Sequence, residues 1–337
     1  MQLRKIRNKY DKALKNAETL QSHILENFEE EKVYDRFVES FLGDEKMEAT
    51  EYVFVSDVFH QQYVGGAELS LKTLIESCPG TATLVNCNMI DQEFVEFYKD
   101  SKWIFGNMAN LDTKMLQHIV EKGIEYSFIE FDYKFCKHRN PVLYNFIEGD
   151  ECEYNSTERG SAIQDFVSNS KSTFFMSSKQ REIYHDALPE TSKANTHVLS
   201  SLFDEDFFGR IELLNNKYEN QPRNNNWIVL GSNSWVKGAL QSENWCKEND
   251  VEYEVVFGMD YDQFLKKLAL SKGLCAMPAG YDTCPRLVIE AKLLGCALQT
   301  NEYVQHSDEE WFNKPNEEII KYLKTRKDYF WMHAFNG

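Results

Sequence analysis

Between residues 51 and 300 the chain repeats one pattern, a short run of β-branched and aromatic residues followed by a helical stretch. That alternation dictates parallel sheets with helices on both faces. The strand runs are 51–57 (EYVFVSD), 82–87, 102–106, 125–131, 172–177 and 196–201, then 227–232, 252–258, 273–279 and 296–300. Helical stretches lie between most of them, while 132–159 reads as irregular. The polar run NNKYENQPRNNN at 215–226 reads as a linker. It divides an α/β domain over 51–214 from a second over 227–315, and 316–337 reads as a helix crossing back to the first. A chain of 337 residues is long enough for two domains, at roughly 100–200 residues each. Open sheets of this kind bind ligands at the C-terminal ends of their strands.

Residues 1–50 differ. Leu3, Ile6, Tyr10, Ala13, Ala17, Leu20 and Ile24 follow three–four spacing, as in a helical extension. This stripe suits packing on the protein or on a second copy, which makes a homo-oligomer through these helices one expectation. Arg4, Lys5, Arg7, Lys9, Lys12 and Lys15 suit an anionic membrane surface. The stripe is narrow and lacks Trp and Phe, so membrane contact is the less favoured reading. Elsewhere acidic residues dominate, and the formal charge of −17 argues against binding duplex nucleic acid through a broad basic face. No run reaches the ~18 apolar residues of a membrane span, and the first residues lack the apolar core of a signal peptide. The eight cysteines form no CxxC pair, which fits reduced thiols and a cytoplasmic location.

Three strand-to-helix loops carry the candidate chemistry. After the first strand, Gly65 and Gly66 in Tyr63-Val64-Gly65-Gly66-Ala67-Glu68 let backbone amides approach negative oxygens at a helix start. The second loop runs from Gly231 and Ser232 to Lys237-Gly238. A lysine beside a helix start conflicts with the helix dipole, and a bound anion would relieve that conflict. In the third, Asp282 and Glu290 have seven residues between them, Thr283 is placed to cap a helix whose first turn holds Pro285, and Glu290 lies in an apolar helix. A carboxylate there needs a partner. Arg286, four residues earlier, is the ordinary candidate, and a pair of ligand hydroxyls is the functional one.

Together the loops resemble the retaining GT-B glycosyltransferases, in particular family 4 and a compact branch of it seen in viral and environmental sequences. The similarity rests on Gly65-Gly66-Ala67-Glu68, on Lys237-Gly238, on the Asp282–Glu290 spacing and on the following Glu290-Ala291-Lys292-Leu293-Leu294-Gly295-Cys296, over about residues 51–315. The resemblance implies a GT-B architecture of two Rossmann-like domains facing across a cleft, and transfer of a sugar from a nucleotide-diphosphate donor, a UDP-sugar, with retention. The acceptor stays open between a glycan, a lipid and another molecule. It further implies that Glu290 binds the ribose, that Asp282 contacts the donor sugar, and that Phe257-Gly258 lies near the base. Lys237, Arg286 and the amides around Gly66 would hold the diphosphate, so that no metal cofactor is needed. Ser232 stands where the family usually has arginine, and Pro285 where it has a small flexible residue; Ser232 and Thr283 complete the donor-binding set. No histidine follows the middle strand of the first domain, which leaves Asp132 as the candidate for a sugar or acceptor contact. Cys136, His138 and Cys152 fit no zinc spacing. The rival readings are a sugar-nucleotide epimerase, a catalytically weak nucleotide-sugar-binding protein and a phage-type DNA glucosyltransferase.

Overall fold

The first sheet contains β1 (Tyr52–Ser56), β2 (Ala82–Asn86), β3 (Lys102–Phe105), β4 (Glu125–Glu130), β5 (Ser172–Phe175) and β6 (Thr196–Val198), in the order β2-β1-β3-β4-β5-β6 and wholly parallel. The second contains β7 (Trp227–Leu230), β8 (Tyr253–Val256), β9 (Gly273–Ala276) and β10 (Ala297–Thr300), in the order β10-β9-β7-β8, also parallel. These come from a computed structural model, which describes residues 48–151 and 154–336. The helical stripe expected for the first 50 residues, with its oligomer and membrane readings, lies outside the described residues, apart from residues 48–50.

Strand pleating sorts the first sheet's side chains. Phe54, Ile104, Ile129 and Phe174 point into one core, and their neighbours Val53, Val55, Trp103, Phe105, Phe128 and Phe175 point into another. Both faces are covered, as a parallel sheet requires. The helices of this half are α1 (Gly66–Glu76), α2 (Gln92–Phe97), α3 (Thr113–Glu121), α4 (Pro141–Glu148), α5 (Glu158–Asn169), α6 (Ser178–Ala187) and α7 (Glu205–Tyr218). In the second half they are α8 (Ala239–Glu248), α9 (Tyr261–Leu270) and α10 (Arg286–Leu293), followed by α11 (Asn316–Lys324) and α12 (Arg326–His333). Short polar side chains set many of the starts. Asp91, Asp112, Ser177 and Asp204 each accept a backbone N–H from the first turn that they precede.

Four details depart from the sequence reading. Helix α4 lies inside the stretch read as irregular. Helix α7 continues through Tyr218, so the extended polar segment begins at residue 219. The last helical segment breaks at Thr325 into α11 and α12. Pro285 is the N-cap residue of α10 rather than part of its first turn, and Thr283 caps nothing there: its hydroxyl donates to the Phe131 carbonyl at 2.8 Å.

The chain after α10 returns to the first sheet. The Ser172 hydroxyl donates to the His333 carbonyl at 2.7 Å, the Ser127 hydroxyl donates to the Ala334 carbonyl, and the Trp331 indole donates to Ser77 Oγ at 3.0 Å. One core therefore runs from Phe54 and Phe174 through Phe330 and Leu323 to Leu265 and Val288. Among the described residues no helix is long and apolar enough to cross a membrane.

Candidate functional site

Strand order reverses between β1 and β3 in the first sheet and between β7 and β9 in the second. Loops leaving strand ends at such a reversal form a crevice. The Gly65-Gly66 loop leaves β1, the Lys237-Gly238 loop leaves β7 and the Asp282 loop leaves β9, so all three singled-out loops stand at reversal points.

Lys237 lies in a 3-10 turn, and its Nζ meets Asp282 Oδ2 at 2.7 Å. Gly238 makes that approach possible. Its φ is 60°, and a Cβ would collide with the Met277 carbonyl, so only glycine lets the β7 loop lie against the β9 loop. Asp282 is anchored by its backbone, its N–H donating to the Tyr303 carbonyl and its carbonyl accepting from Gln305 N–H, at 2.9 and 3.0 Å. Lys237 is thus paired, although its side chain stays partly exposed. Ser232 Oγ accepts the Ser234 N–H at 3.1 Å and shapes the same loop. Phe257 and Gly258 follow β8; Phe257 is 67% exposed, and its Cβ lies beside Gly231.

Helix α10 begins with Arg286, whose Nε lies 3.7 Å from Glu290 Oε1. The guanidinium covers the Phe203 ring at 3.9 Å and donates to the Leu202 carbonyl, and its stem lies against Gly66. Glu290 is buried, and burial raises its pKa while Arg286 and a hydrogen bond from Tyr261 oppose the rise. The Tyr261 hydroxyl donates to Glu290 Oε1 at 2.8 Å. At the α1 start the Glu68 carboxylate and the Tyr63 ring fold back against Gly65. The site's two cations are thus each matched with one member of the Asp282–Glu290 pair. Lys237 and Asp282 are in direct contact, and Arg286 and Glu290 sit one turn apart.

Asp132 follows β4 and joins a polar network instead of standing alone. Arg139 Nε donates to it at 2.7 Å and Lys134 Nζ at 3.0 Å, and Lys134 also meets Glu130 at 2.8 Å, both fully buried. Burial drives the Asp132 pKa up, but Lys134 and Arg139 outweigh it and hold the carboxyl below its usual range. Glu130 goes the other way, burial dominating over Lys134. Gln180 Nε2 donates to the Glu130 and Asp132 carbonyls, and the Tyr184 hydroxyl donates to Glu130.

The network borders the second half of the molecule. Asn140 Nδ2 donates to the Tyr281 carbonyl at 2.9 Å, next to Asp282, and the Thr283 bond to Phe131 ends next to Asp132. Ser201 Oγ donates to the Cys284 carbonyl at 2.7 Å. The structure so brings Lys237 to Asp282, Arg286 to Glu290 and Gly66, and Thr283 to the backbone beside Asp132. Phe257 and Gly258 stand at the β8 end, next to Gly231. Sequence reasoning missed Tyr261, Glu130, Lys134 and Arg139. Tyr261 had no signal, being 29 residues from its partner, whereas the charges of 130–139 were in view and only their mutual contact was not. No group of three or more His, Cys, Asp or Glu among the described residues could hold a metal ion.

No protein-family profile matches the chain, and no curated protein sequence matches it. Among solved structures it is similar to a UDP-forming α,α-trehalose-phosphate synthase from Burkholderia xenovorans, with TM-score 0.51 and 9% identity over 86% of this chain and 99% of that one. It is also similar to an E. coli trehalose-6-phosphate protein bound with UDP-2-fluoro glucose, with TM-score 0.50 and 10% identity over 85% of this chain and 96% of that one. The fold is GT-B. In GT-B terms the Gly65-Gly66 loop and the Asp132 network belong to the first Rossmann-like domain. Lys237, Asp282, Arg286 and Glu290 belong to the second.

Proposed function

We propose that the chain is a retaining GT-B glycosyltransferase, resembling family 4, that transfers a sugar from a UDP-sugar to an acceptor hydroxyl. The observation that carries this reading is the pairing of Lys237 with Asp282 and of Arg286 with Glu290 at the reversal point of the second sheet. Two cations beside two acceptor carboxylates match the two ends of such a donor. The diphosphate takes Lys237, Arg286 and the amides at the start of α1. The ribose hydroxyls take Glu290, a two-oxygen acceptor, and the sugar takes Asp282. Phe257, exposed at the end of β8, offers a ring to the base.

In the transfer, the bond from the anomeric carbon to the diphosphate oxygen breaks and its electron pair stays on the departing UDP. The acceptor oxygen bonds to that carbon, and its proton passes to the departing phosphate oxygen. Lys237 and Arg286 stabilise the charge that develops there, which is where preorganised cations act most strongly. Asp132, held by Arg139 and Lys134, positions the acceptor side.

Calorimetric titration with UDP and UDP-glucose tests the reading. Both bind, and Lys237→Ala weakens UDP by about 1.5–3 kcal/mol, the scale of a hydrogen bond to a charged group. A folded protein that takes up neither ligand defeats the proposal.

A further inference from the structure

Helix α4 is rich in apolar side chains, Val142, Leu143, Phe146 and Ile147, yet none of its residues is buried. Phe146 is 71% exposed. Its ring does not stand alone. It meets Trp235, from the loop after β7, with centroids 5.7 Å and planes 32° apart. The two rings line a pocket of about 730 Å³ that is bounded by α4 on one side and by the first turns of α8 on the other. The volume falls in the range of small-molecule sites, about 300–1,000 Å³. Val142 and the exposed Leu240 extend its apolar side.

The rest of the lining is polar and neutral. Asn145, Asn233, Ser234 and Gln241 contribute amide and hydroxyl groups, and among the described residues none of these side chains makes a hydrogen bond. Among the described residues no cation lines the pocket. Its carboxylate, Glu243, lies 3.5 Å from Lys247 and accepts the Tyr253 hydroxyl at 3.4 Å. An anionic ligand would find no opposite charge here, and a wholly apolar one would cover the amides without giving them partners. A sugar ring suits both sides. Its C–H face lies on aromatic rings, whose faces are electron-rich, and its hydroxyls donate to and accept from amides, which offer both functions.

The frame of the pocket is fixed before any ligand arrives. The Trp235 ring sits so close to Gly280 that a Cβ there would meet it, and the same Cβ would meet Asn140 Oδ1. Asn140 caps α4 and donates to the Tyr281 carbonyl at 2.9 Å. Gly280 and Tyr281 thus seat both the Trp235 ring and the start of the helix that carries Phe146, and a site held in place in this way loses little freedom on binding. We propose that the pocket is a binding site for a neutral sugar chain, stacked on Phe146 and Trp235 and hydrogen-bonded by Asn145, Asn233, Ser234 and Gln241. It adjoins the Lys237–Asp282 contact without including it, Trp235 being two residues before Lys237 in the same loop. Binding there requires neither UDP nor transfer, so the inference goes beyond the transferase reading and is tested apart from it.

The test titrates the protein calorimetrically, without UDP, with maltohexaose, cellohexaose, laminarihexaose and hexagalacturonate. At least one of the neutral chains binds with a Kd below about 1 mM, and the charged chain binds at least about tenfold more weakly. Phe146→Ala and Trp235→Ala each raise the Kd of the neutral chain by about tenfold or more, the scale of a truncated aromatic contact. Phe146 is exposed, so Phe146→Ala keeps the parent's melting temperature and its UDP binding. Three results overturn the proposal: no neutral chain binds, hexagalacturonate binds as well as the neutral chains, or neither variant moves the Kd. Flotation on phosphatidylcholine vesicles that Phe146→Ala abolishes names a lipid surface as the occupant and overturns it too. A protein that takes up the sugar chain but not UDP defeats the transferase reading and upholds this one.

Discussion

Buried in the first turns of α10, the Glu290 carboxylate is met by Arg286 at 3.7 Å and by the Tyr261 hydroxyl at 2.8 Å. One oxygen, Oε1, serves both, and under the proposed function the other meets the ribose. Glu290→Gln keeps an oxygen for Tyr261 and removes the charge and one acceptor position. The expected result is a loss of UDP affinity of about 1.5–3 kcal/mol with little change in stability, read by calorimetry beside urea denaturation. Equal affinity in the variant assigns Glu290 to the Arg286 pair alone. A second residue reports on stability rather than binding. His306 is fully buried beside Trp311 and Phe312, and among the described residues neither ring nitrogen has a hydrogen-bond partner. Burial, with the nearby positive charge of Lys292, pushes its pKa down to about 3. An unfolded histidine titrates near 6.5, so between there and about 3 the unfolded state binds the extra proton. The stability tied to the neutral ring is complete above about 6.5 and is lost as pH falls through that window, at most about 1.4 kcal/mol per unit. His306→Phe therefore flattens the fall in stability between about pH 6.5 and 4, measured by denaturant unfolding across that range. Parallel pH profiles for the two proteins place the acid sensitivity elsewhere.

At the scale of elements, the site depends on how closely two loops approach. Gly238 permits the β7 loop to touch the β9 loop, and Lys237 and Asp282 are paired because of it. Gly238→Ala puts a Cβ into the Met277 carbonyl at a φ that disfavours any side chain. It lowers stability by more than about 1 kcal/mol, and it reduces UDP affinity further than Lys237→Ala, because it displaces both loops. Unfolding curves and titrations of the two variants side by side decide this, and a Gly238→Ala protein that binds UDP normally shows that the contact is dispensable. This loop stood out in the sequence, since Lys-Gly after a strand is a local pattern, whereas its contact with Asp282 did not. The central strands were legible for a similar reason: burial on both faces makes β1 and β3 nearly continuous apolar runs. Helix α4 was not read, although Asn140-Pro141 is a sound start, with Asn140 Oδ1 accepting two first-turn N–H groups. Its apolar residues Phe146 and Ile147 are exposed, so the usual one-faced stripe was missing. The capping role given to Thr283 failed for another reason. Its hydroxyl had a competing acceptor 152 residues away, and local spacing carries no information about such a partner. The same applies to the Asp132 network, whose charges are close in sequence but whose pairing depends on how the chain turns after β4.

Considered whole, residues 50–337 form one compact unit, although they hold two sheets. The reason is the chain's return. Phe330 on α12 packs against Phe174 of β5 with ring centroids 4.7 Å apart, and Trp331 meets Tyr52 of β1 at 5.4 Å. Arg326 lies over the Tyr329 ring and donates to the Leu199 and Val198 carbonyls, fastening α12 to the end of β6. Through α11 the same core reaches α9 and α10, so these helices of the second half and the first sheet share their apolar burial. Two domains joined only by a linker unfold independently, whereas two domains sharing a core unfold together. Phe330→Ala removes a fully buried ring from that shared core and is expected to destabilise by about 3–5 kcal/mol, the usual range for such a truncation. The loss should appear equally in both halves. Trp103 sits in the core of the first domain and Trp227 on the first strand of the second, so single-tryptophan variants keeping one or the other give each half its own fluorescence signal. Denaturant curves from the two probes should coincide in the parent and shift together in the Phe330→Ala background. A shift confined to the Trp103 signal means that α12 is fastened to the first sheet alone, and that contact between the two halves rests on Thr283, Asn140 and Ser201 and not on a common core.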